Sequence, residues 1–415
     1  MKVVIIGSGA QGTGLAGLLA MESDVDRIIL ADYSKSALKE SENKINELGN
    51  RIKTKEIIYE TVNASDVQDV ARIIKGSDIC FHAILPQFNL PIMKACLQEK
   101  VNYLDLIALP CEGEGMPKEE AITAQIELDQ EFKDAGILAI PSVGISPGWT
   151  LFAAADMMKD MEEVREVVIR WSDYIDTEEY TCSINPGFMF TEWLGTPGPR
   201  AWKDGEVIGE DLLGSEEEFE FPDPIGKRKI YTCTSQPDIV MIPMFSDKKI
   251  PYCVEKGGVN LGKMDSLHVW MKGIQMASSS QGTEKTNVNM IEEFSKNMIP
   301  PTSQDELVQN GKIRDRATCF SVEVNGMENG RFVRRIQYNN CTQETAEKHI
   351  SWCAPAVFDT AGGLAVILVL MIGRGQIPQK GVVTVGQLDM REQIKAELLA
   401  RDQEITEKVI YPDEK

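Results

Sequence analysis

The first thirty-two residues are the feature that most restricts the fold of this chain. Residues 3–6 form a β-branched apolar run, which is typical of a strand covered on both faces of a sheet. The run leads directly into Gly7-Ser8-Gly9-Ala10-Gln11-Gly12, and leucines at helical spacing follow. A second apolar run ends at Asp32, twenty residues after Gly12. This order of strand, glycine turn, helix, strand and acidic residue predicts a dinucleotide-binding unit.

Each residue type in this pattern has a physical task. Gly7 permits the tight turn, Gly9 lets the backbone approach a pyrophosphate, and Gly12 allows the helix to pack closely on the strand. The pyrophosphate would accept the free N–H groups at the start of the helix, and Ser8, Ala10 and Gln11 are further predicted cofactor contacts.

Asp32 indicates which dinucleotide is bound. Its carboxylate would accept hydrogen bonds from the adenosine ribose hydroxyls and would repel the 2′-phosphate of NADP. The sequence therefore predicts NAD in preference to NADP. Ser34 and Lys35 oppose this preference, because they could hold a phosphate if Asp32 turned away.

Strand and helix patterns continue to alternate as far as residue 143, which predicts a parallel, doubly wound sheet. Among these elements we expect a helix over 67–74, a strand over 79–85 and a helix over 121–134. Ligands of such sheets bind beyond the carboxyl ends of the strands. This rule predicts cofactor contacts at Asn63, Ala64, Leu85 and Pro86, and a substrate contact at Gln87.

The pattern changes after residue 149. Alternating runs separated by Gly, Pro and Asn turns indicate a mostly antiparallel sheet with helices. The clearest hairpin has strands over 320–325 and 332–338 and a turn over 326–330. We therefore predict an α/β fold of three parts. They are a Rossmann domain over 1–150 and 345–390, an inserted α+β substrate-binding and dimerisation domain over 151–344, and a C-terminal helix and tail over 391–415.

Composition excludes several classes of function. The net charge of −21 argues against a nucleic-acid partner, whose phosphates need a basic surface. This negative charge would attract a cationic small molecule, or it belongs to an ordinary solvated surface that keeps the protein soluble. Nine scattered cysteines without a Cys-x-x-Cys pair, and no signal peptide, favour a reducing cytoplasm.

Two further features bear on membranes and metals. The apolar run over 361–372 is shorter than the roughly 20 residues that cross a bilayer, so we expect a buried helix and no membrane contact. The three histidines have no partners at metal-ligand spacing, so we predict no metal site. We expect His82, inside an apolar strand, to be a hydrogen-bonded core residue.

Several segments together resemble the saccharopine dehydrogenase-like family. They are residues 3–12, Ile84-Leu85-Pro86 with Asn89, Tyr103-Leu104-Asp105-Leu106, Gly144-Ile145-Ser146-Pro147-Gly148, and Asp359-Thr360-Ala361-Gly362-Gly363 with Gly381-Val382-Val383. The resemblance implies a nicotinamide-dependent oxidoreductase that acts on a C–N bond of an amino acid, a diamine or an opine. It also implies a homodimer formed through the middle sheet. A hydride-recycling synthase of the homospermidine type and a non-catalytic dinucleotide-binding regulator remain as alternatives.

Amine oxidation or imine reduction requires a group that takes up or releases a proton. Asp105 is the first candidate, because it ends a strand and because the family's Tyr-x-Asp segment lies near the active cleft; a structural carboxylate is the alternative. Glu112 follows in a glycine-containing loop, where it could reach a substrate ammonium or simply be solvated.

The middle region offers candidates for substrate binding. An arginine, Arg170 or Arg200, could hold a substrate carboxylate through a forked pair of hydrogen bonds. A tryptophan face, at Trp171 or Trp202, could hold an ammonium. Ordinary structural roles for these side chains remain open.

Overall fold

The structure is a computed structural model, which describes residues 1–110, 121–187, 189, 198–234, 236–261, 293, 295–403 and 405–412. The chain forms two compact units. Unit 1 contains Met1–Phe152 and Phe358–Asp402, and unit 2 contains Ala153–Val357 and Gln403–Lys415.

Unit 1 is built on a parallel sheet of seven strands. They are β1 (Lys2–Ile6), β2 (Arg27–Asp32), β3 (Glu56–Thr61), β4 (Ile79–His82), β5 (Asn102–Asp105), β6 (Leu138–Ile140) and, from late in the chain, β15 (Gly381–Val382). Their order is β15-β6-β5-β4-β1-β2-β3 and every neighbouring pair is parallel. The strand order changes direction between β1 and β4, because β2 and β3 lie on one side of β1 while β4, β5 and β6 lie on the other. Doubly wound folds bind their ligands at such a point.

Helices connect these strands. They are α1 (Ala10–Ala20), α2 (Lys35–Asn46), α3 (Val67–Ile74), α4 (Asn89–Glu99), α5 (Ile122–Ile126), α6 (Asp129–Ala135), α7 (Trp149–Met158), α12 (Val366–Gly373) and α13 (Arg391–Leu399), with 3₁₀ turns at Gly49–Arg51, Pro86–Phe88 and Val385–Gln387. The predicted helix over 67–74 is confirmed. The predicted strand over 79–85 ends three residues early, and the predicted helix over 121–134 is two short helices.

The late apolar helix is longer than its sequence run suggests. It extends over Pro355–Gly373 and is long and apolar enough to cross a membrane, but 83% of its most apolar stretch is buried inside the protein. Its central turn, Ala361–Ala365, is a π-helix with a non-helical Gly363. The expectation of a buried helix is confirmed.

Unit 2 is built on a mixed sheet of nine strands. They are β7 (Glu163–Thr177), β8 (Arg200–Lys203), β9 (Glu206–Gly209), β10 (Gly214–Glu220), β11 (Lys227–Thr232), β12 (Tyr252–Leu261), β13 (Ile313–Glu328), β14 (Arg331–Thr342) and β16 (Thr406–Ile410). The main order is β10-β11-β12-β7-β13-β14-β16, and β8 and β9 form a branch on β12. Only β7 and β12 pair in parallel among these strands, so the predicted fold class, a parallel sheet plus a mostly antiparallel one, is confirmed.

The helices of this unit are short. They are α8 (Asp238–Phe245), α9 (Asp305–Gln309), α10 (Gln343–His349) and α11 (Pro355–Thr360), with a 3₁₀ turn at Pro301–Ser303. The predicted turn over 326–330 is wrong, because β13 and β14 stay paired up to Glu328 and Arg331. The turn is the pair Asn329-Gly330, whose φ angles of 52° and 70° suit a two-residue hairpin.

Candidate dinucleotide-binding and active site

The glycine turn between β1 and α1 has the geometry that the sequence predicts. Gly7 has a φ of 114°, and a Cβ there would lie 2.7 Å from the Ala83 oxygen. A Cβ on Gly12 would lie 1.9 Å from the Gly7 oxygen, so α1 approaches the turn too closely for any side chain. Both glycines are therefore required by the protein's own packing.

Gly9 differs from Gly7 and Gly12 in having open space beside it, which fits a dinucleotide. A Cβ on Gly9 would meet no atom of the described residues within 4 Å, its two chain neighbours apart. Gly9 also precedes the first residue of α1, and no side chain caps this helix start. Open space beside an uncapped helix N-terminus fits a pyrophosphate, which would accept the N–H groups of Ala10, Gln11 and their neighbours.

The Asp32 carboxylate is tied to this turn. One oxygen accepts the backbone N–H of Ser8 over 2.7 Å, and the other accepts the backbone N–H of Ser34 over 2.8 Å. The residue is only 8% exposed. Two hydrogen bonds from different segments hold the carboxylate in one orientation beside the place where the adenosine ribose is expected.

Hydrogen bonds to the Ser8 carbonyl stabilise the turn from the other side. The hydroxyl oxygens of Thr13 and Ser41 each lie 3.2 Å from the Ser8 carbonyl oxygen and 2.7 Å from each other. Since each hydroxyl has one proton, one can donate to Ser8 while the other donates to its partner hydroxyl. Since Ser41 belongs to α2, the turn is fixed to two helices.

The remaining predicted rim residues of unit 1 lie at the carboxyl ends of β3 and β4. Asn63 is exposed, and its side chain accepts the N–H of Ser65; Ala64 is buried beside it. Leu85 is 47% exposed, and Gln87 is exposed in the 3₁₀ turn that Pro86 begins. The structure thus gathers these residues at the same edge of the sheet as the glycine turn.

Sequence reasoning missed Tyr33 at this edge. Its side chain follows Asp32 directly and is 87% exposed, although aromatic rings usually bury most of their surface. An exposed ring beside a predicted ribose position can stack on the adenine base. The only sequence signal was an aromatic residue immediately after the acidic one.

Asp105 lies inside the protein and not on the rim. Its carboxylate accepts hydrogen bonds from the Tyr103 hydroxyl (2.8 Å), the Gln125 amide (3.0 Å), the Asn89 amide (3.4 Å) and the Ser142 backbone N–H (2.7 Å). The residue is fully buried. Direct proton exchange with a substrate, the role predicted for Asp105, does not fit this enclosure, whereas the alternative of a structural carboxylate does.

The burial of Asp105 has an electrostatic consequence. Loss of hydration raises the pKa of its carboxyl from 3.8 to about 6, although the hydrogen bonds from Ser142, Tyr103 and Gln125 oppose this rise. The same network binds the loop after β5, because Leu109 N–H donates to Gln125 over 2.6 Å. Asp105 therefore organises the loops at the end of β5; Glu112 lies outside the described residues.

His82 ends β4 and is also fully buried. Burial lowers the pKa of its imidazole from 6.5 to about 3, so the ring is neutral at physiological pH. Neither ring nitrogen has a hydrogen-bond partner in the described part of the protein. The expectation of a core residue is correct, but the expected hydrogen bond is absent from that part.

In unit 2, Arg170 and Trp171 are adjacent on β7. The Arg170 guanidinium is 5% exposed and forms ion pairs with Glu217 (2.9 Å) and Glu323 (3.0 Å). Because its charge is compensated twice, a role in holding a substrate carboxylate does not fit. Trp171 is 7% exposed and packs in a core cluster, with its ring stacked on Phe320 at a centroid distance of 6.3 Å.

Arg200 and Trp202 lie on β8, away from Arg170 in the sheet. β8 pairs with the first residues of β12, whereas Arg170 lies opposite Lys256. Both side chains are half-buried, and the Trp202 ring nitrogen donates to the Ile250 carbonyl over 3.1 Å. The four candidates of unit 2 therefore lie on two strands, β7 and β8, with β12 between them.

Comparisons with known proteins agree with this architecture. Residues 3–140 match a sequence profile described as the saccharopine dehydrogenase NADP binding domain. The chain is also 26% identical to carboxynorspermidine synthase of Vibrio alginolyticus, over 94% of this chain and 92% of that protein. The chain thus contains a segment similar to the saccharopine dehydrogenase NADP binding domain, and it resembles this relative over nearly its whole length. The predicted resemblance to the saccharopine dehydrogenase-like family and the predicted nicotinamide dinucleotide cofactor are thereby confirmed.

One further relative and two solved structures are similar to this chain over nearly their whole length. Carboxyaminopropylagmatine dehydrogenase of a Synechocystis species is 23% identical over 94% of this chain and 93% of that protein. Saccharopine dehydrogenase (L-Glu forming) of Saccharomyces cerevisiae has the same fold, with a TM-score of 0.66, 11% identity and 99% coverage of both chains. Homospermidine synthase of Legionella pneumophila, solved in complex with NAD, gives a TM-score of 0.67 and 9% identity over 100% of this chain and 93% of that one.

Proposed function

We propose that this protein is a nicotinamide-dependent oxidoreductase that forms or breaks a C–N bond in a small amine substrate. The similarity to two relatives over nine-tenths of the chain carries the proposal. Both relatives are named for polyamine derivatives that bear a carboxyl group. The substrate class is therefore an amine, diamine or opine whose secondary amine joins a polyamine-like part to an amino-acid part.

The reaction requires one hydride and one proton. In the reductive direction the hydride goes to the imine carbon and the proton to the imine nitrogen, which gives a secondary amine. The bound nicotinamide supplies or accepts the hydride. The chain's contribution in unit 1 is to hold the pyrophosphate at Gly9 and the start of α1 and to orient the ribose at Asp32.

NAD is the preferred cofactor in this proposal. Asp32 cannot turn away from the ribose without breaking its hydrogen bonds to Ser8 and Ser34. The objection raised by Ser34 and Lys35 is weaker for this reason. The Ser34 hydroxyl is also engaged, because it accepts the N–H of Ala37 at the start of α2.

Asp105 acts as a positioning residue in this proposal. Its four hydrogen bonds fix the ends of β5 and β6, from which loops extend toward the cofactor edge of the sheet. Glu112, in the segment after β5, is the proposed acid or base that contacts the substrate. Cytoplasmic location and a homodimer through the sheet of unit 2 complete the proposal.

A substrate panel tests the proposed activity. Full-length protein would be incubated with an amino-acid semialdehyde, each of several diamines, and NADH or NADPH, while absorbance at 340 nm and product mass are recorded. We expect NADH oxidation with a new secondary amine of matching mass. A new product without net NADH change would favour the hydride-recycling synthase instead, and neither signal with any pair would contradict both enzymatic functions.

A further inference from the structure

Residues 106–110, which follow β5, form a loop that we call the β5 loop. Each of its last four residues has one backbone group that is hydrogen-bonded to another segment of unit 1. The four bonds join Asn89 Nδ2 to the Ile107 carbonyl (3.0 Å), the Ala108 N–H to Ser142 Oγ (2.9 Å), the Leu109 N–H to Gln125 Oε1 (2.6 Å), and the Ile122 N–H to the Pro110 carbonyl (2.8 Å). The loop is therefore held in one shape by α4, by α5 and by the segment that follows β6.

Asp105 joins three of these anchoring residues. Its Oδ2 accepts hydrogen bonds from Gln125 Nε2 and Asn89 Nδ2, and its Oδ1 accepts the backbone N–H of Ser142 over 2.7 Å. Ser142 thus contacts both partners, because its backbone binds the carboxylate and its side chain binds the β5 loop. The four residues of this network are completely buried, and all of them belong to unit 1.

Ser142 has a backbone conformation that is unusual for serine. Its φ is 62°, in the left-handed region. The other non-glycine residues with a positive φ in the described part of the chain are exposed or half-buried, whereas Ser142 is completely buried. The left-handed region strains a residue that carries a Cβ, and glycine adopts it without this strain.

The Ser142 hydroxyl makes a hydrogen bond that glycine could not make. The Ala108 N–H that it accepts belongs to a residue that is 1% exposed. A buried N–H without an acceptor is costly, so loss of the hydroxyl would disfavour the observed shape of the loop. Ser142 therefore combines a strained backbone with a side chain that fixes the β5 loop. Strained residues of this kind are concentrated at binding and active sites.

The β5 loop lies on the side of β1 that is opposite to Asp32. Asp32 ends β2, on one side of β1, whereas β4, β5 and β6 follow on the other side. In doubly wound sheets the two halves of a dinucleotide lie over the two halves of the sheet. With the adenosine half at Asp32, the nicotinamide half would lie at the carboxyl ends of β4, β5 and β6. β5 is two strands from β1, which is roughly 10 Å at the ordinary strand spacing.

The β5 loop also has surface that a ligand can contact. Leu106 and Ile107 are half-buried and Pro110 is exposed, while Ala108 and Leu109 are buried. Apolar side chains that are fixed in place can support one face of the flat nicotinamide ring. Because hydride transfer needs the ring in one orientation, a rigid supporting loop favours the reaction.

We propose that Ser142 is a positioning residue for the nicotinamide half of the cofactor. Through its hydroxyl and its left-handed backbone, it holds the β5 loop in the shape that supports the nicotinamide ring. The inference rests on the proposed function, because it requires a bound nicotinamide dinucleotide. Ser142 itself is buried beneath the loop and acts through it.

Two variants and one control test this role in the full-length protein. Ser142→Gly removes the hydroxyl and relieves the backbone strain, whereas Ser142→Ala removes the hydroxyl and keeps the strain. The glycine variant should therefore have the higher melting temperature of the two, and the reverse order would contradict a strained backbone. Lys100→Gly is the matched control, because Lys100 has a positive φ of 55° but is exposed between the end of α4 and the start of β5, at the opposite end of that strand.

The first measurement is hydrogen–deuterium exchange of the free protein, followed by mass spectrometry of peptides that contain residues 106–109. Both Ser142 variants should exchange this segment faster than the wild type and Lys100→Gly, because the Ala108 N–H loses its acceptor. Unchanged exchange in both variants would overturn the proposal, since the hydroxyl would then not hold the loop.

The second measurement is calorimetry with NAD and with ADP-ribose, which lacks only the nicotinamide. Ser142→Gly should raise the Kd for NAD roughly 5- to 30-fold, the factor for one interaction of hydrogen-bond strength, and should leave the Kd for ADP-ribose unchanged. Lys100→Gly should change neither. Equal weakening of both ligands by Ser142→Gly, or of neither, would overturn the proposal.

This pair of ligands also separates the inference from the proposed function. If the wild type binds neither NAD nor ADP-ribose, the dinucleotide site and the proposed function fail, and the inference fails with them. If the wild type binds both and Ser142→Gly changes neither Kd, the proposed function stands and the role of Ser142 is rejected.

Discussion

The backbone N–H of Ser8 donates to the Asp32 carboxylate over 2.7 Å, which connects the glycine turn to the end of β2. The second carboxylate oxygen accepts the N–H of Ser34. In the proposed site, this negative charge would lie where an NADP 2′-phosphate has to bind. Selection of the cofactor and the shape of the turn would then depend on the same side chain.

This relationship predicts the effect of Asp32→Ser. Serine removes the charge and leaves an oxygen that can still accept a hydrogen bond. We expect the ratio of the Kd for NADP to that for NAD to fall about tenfold or more, since 1.4 kcal/mol of lost repulsion suffices for a factor of ten. Calorimetric titration with both dinucleotides measures the ratio. Asp134→Asn, an exposed carboxylate on α6, is the control, and an unchanged ratio in Asp32→Ser would contradict the assignment.

Gly9 and Gly12 should respond differently to the same added methyl group. Among the described residues, a Cβ at residue 9 would meet no atom beyond its two chain neighbours, whereas a Cβ at residue 12 would lie 1.9 Å from the Gly7 oxygen. Gly9→Ala should keep the melting temperature of the free protein and weaken NAD binding, because the methyl occupies the pyrophosphate position. Gly12→Ala should lower both, at a cost of about 1–3 kcal/mol in unfolding free energy for the forced overlap. Normal NAD affinity in Gly9→Ala would argue against pyrophosphate contact at this turn.

Tyr33 should contribute to cofactor affinity through its ring. Stacking of a base on an aromatic side chain contributes about 1–3 kcal/mol when tested by alanine substitution. Tyr33→Ala should therefore raise the Kd for NAD roughly 5- to 140-fold, and Tyr33→Phe should leave it nearly unchanged. The free protein should keep its melting temperature in both variants, because the ring is 87% exposed. Equal affinities for alanine and phenylalanine variants would exclude stacking.

The sequence predicts unit 1 well because its information is local. The run over residues 3–6, the glycine turn and Asp32 are close in sequence, and each fixes its own backbone geometry. The helix Val67–Ile74 was predictable for the same reason, since its N-cap residue Asp66 and its apolar spacing are adjacent. Side chains over 121–134 contact distant segments, as Gln125 contacts Asp105. For this stretch, periodicity alone predicted one helix, and the structure has two.

The roles of the candidates in unit 2 were less predictable, because charge compensation is not local. Arg170 on β7 and Arg316 on β13 are both arginines in alternating strand sequences. Only the fold shows that Glu323, 153 residues after Arg170, pairs with it, while Arg316 contacts neutral amides. No rule based on the spacing of residues in the sequence predicts that difference.

Asp105 should give a pH-dependent contribution to stability. Its pKa rises from 3.8 in the unfolded chain to about 6 in the fold, so the native state keeps a proton that the unfolded state releases. The stability from this group is fully present below pH 3.8 and is lost as the pH rises to about 6; the loss is about 3 kcal/mol. The asparagine of Asp105→Asn cannot titrate. The unfolding free energy of the wild type minus that of this variant should therefore fall by about 3 kcal/mol between pH 3.8 and about 6.

Urea unfolding at several pH values measures this difference. Tyr103→Phe is the informative companion variant, because it removes a hydroxyl whose hydrogen bond lowers the pKa of Asp105. It should move the upper end of the transition to higher pH. A wild-type difference from Asp105→Asn that does not vary with pH would show that the carboxyl is not held protonated in the fold.

His82 should act in the opposite direction. Its pKa falls from 6.5 in the unfolded chain to about 3 in the buried site, so between these pH values the unfolded state binds a proton and the native state does not. The stability from the neutral ring is present above pH 6.5 and is lost as the pH falls toward 3, by about 2 kcal/mol between pH 6.5 and pH 5.

His82→Leu removes this proton site, and leucine needs no hydrogen bond in a position where the two ring nitrogens have no partner among the described residues. On acidification from pH 7 to about 5, the variant should therefore lose about 2 kcal/mol less unfolding free energy than the wild type. Asp105 is present in both proteins, so its own pH dependence cancels in the comparison, and parallel stability curves would refute a buried neutral histidine.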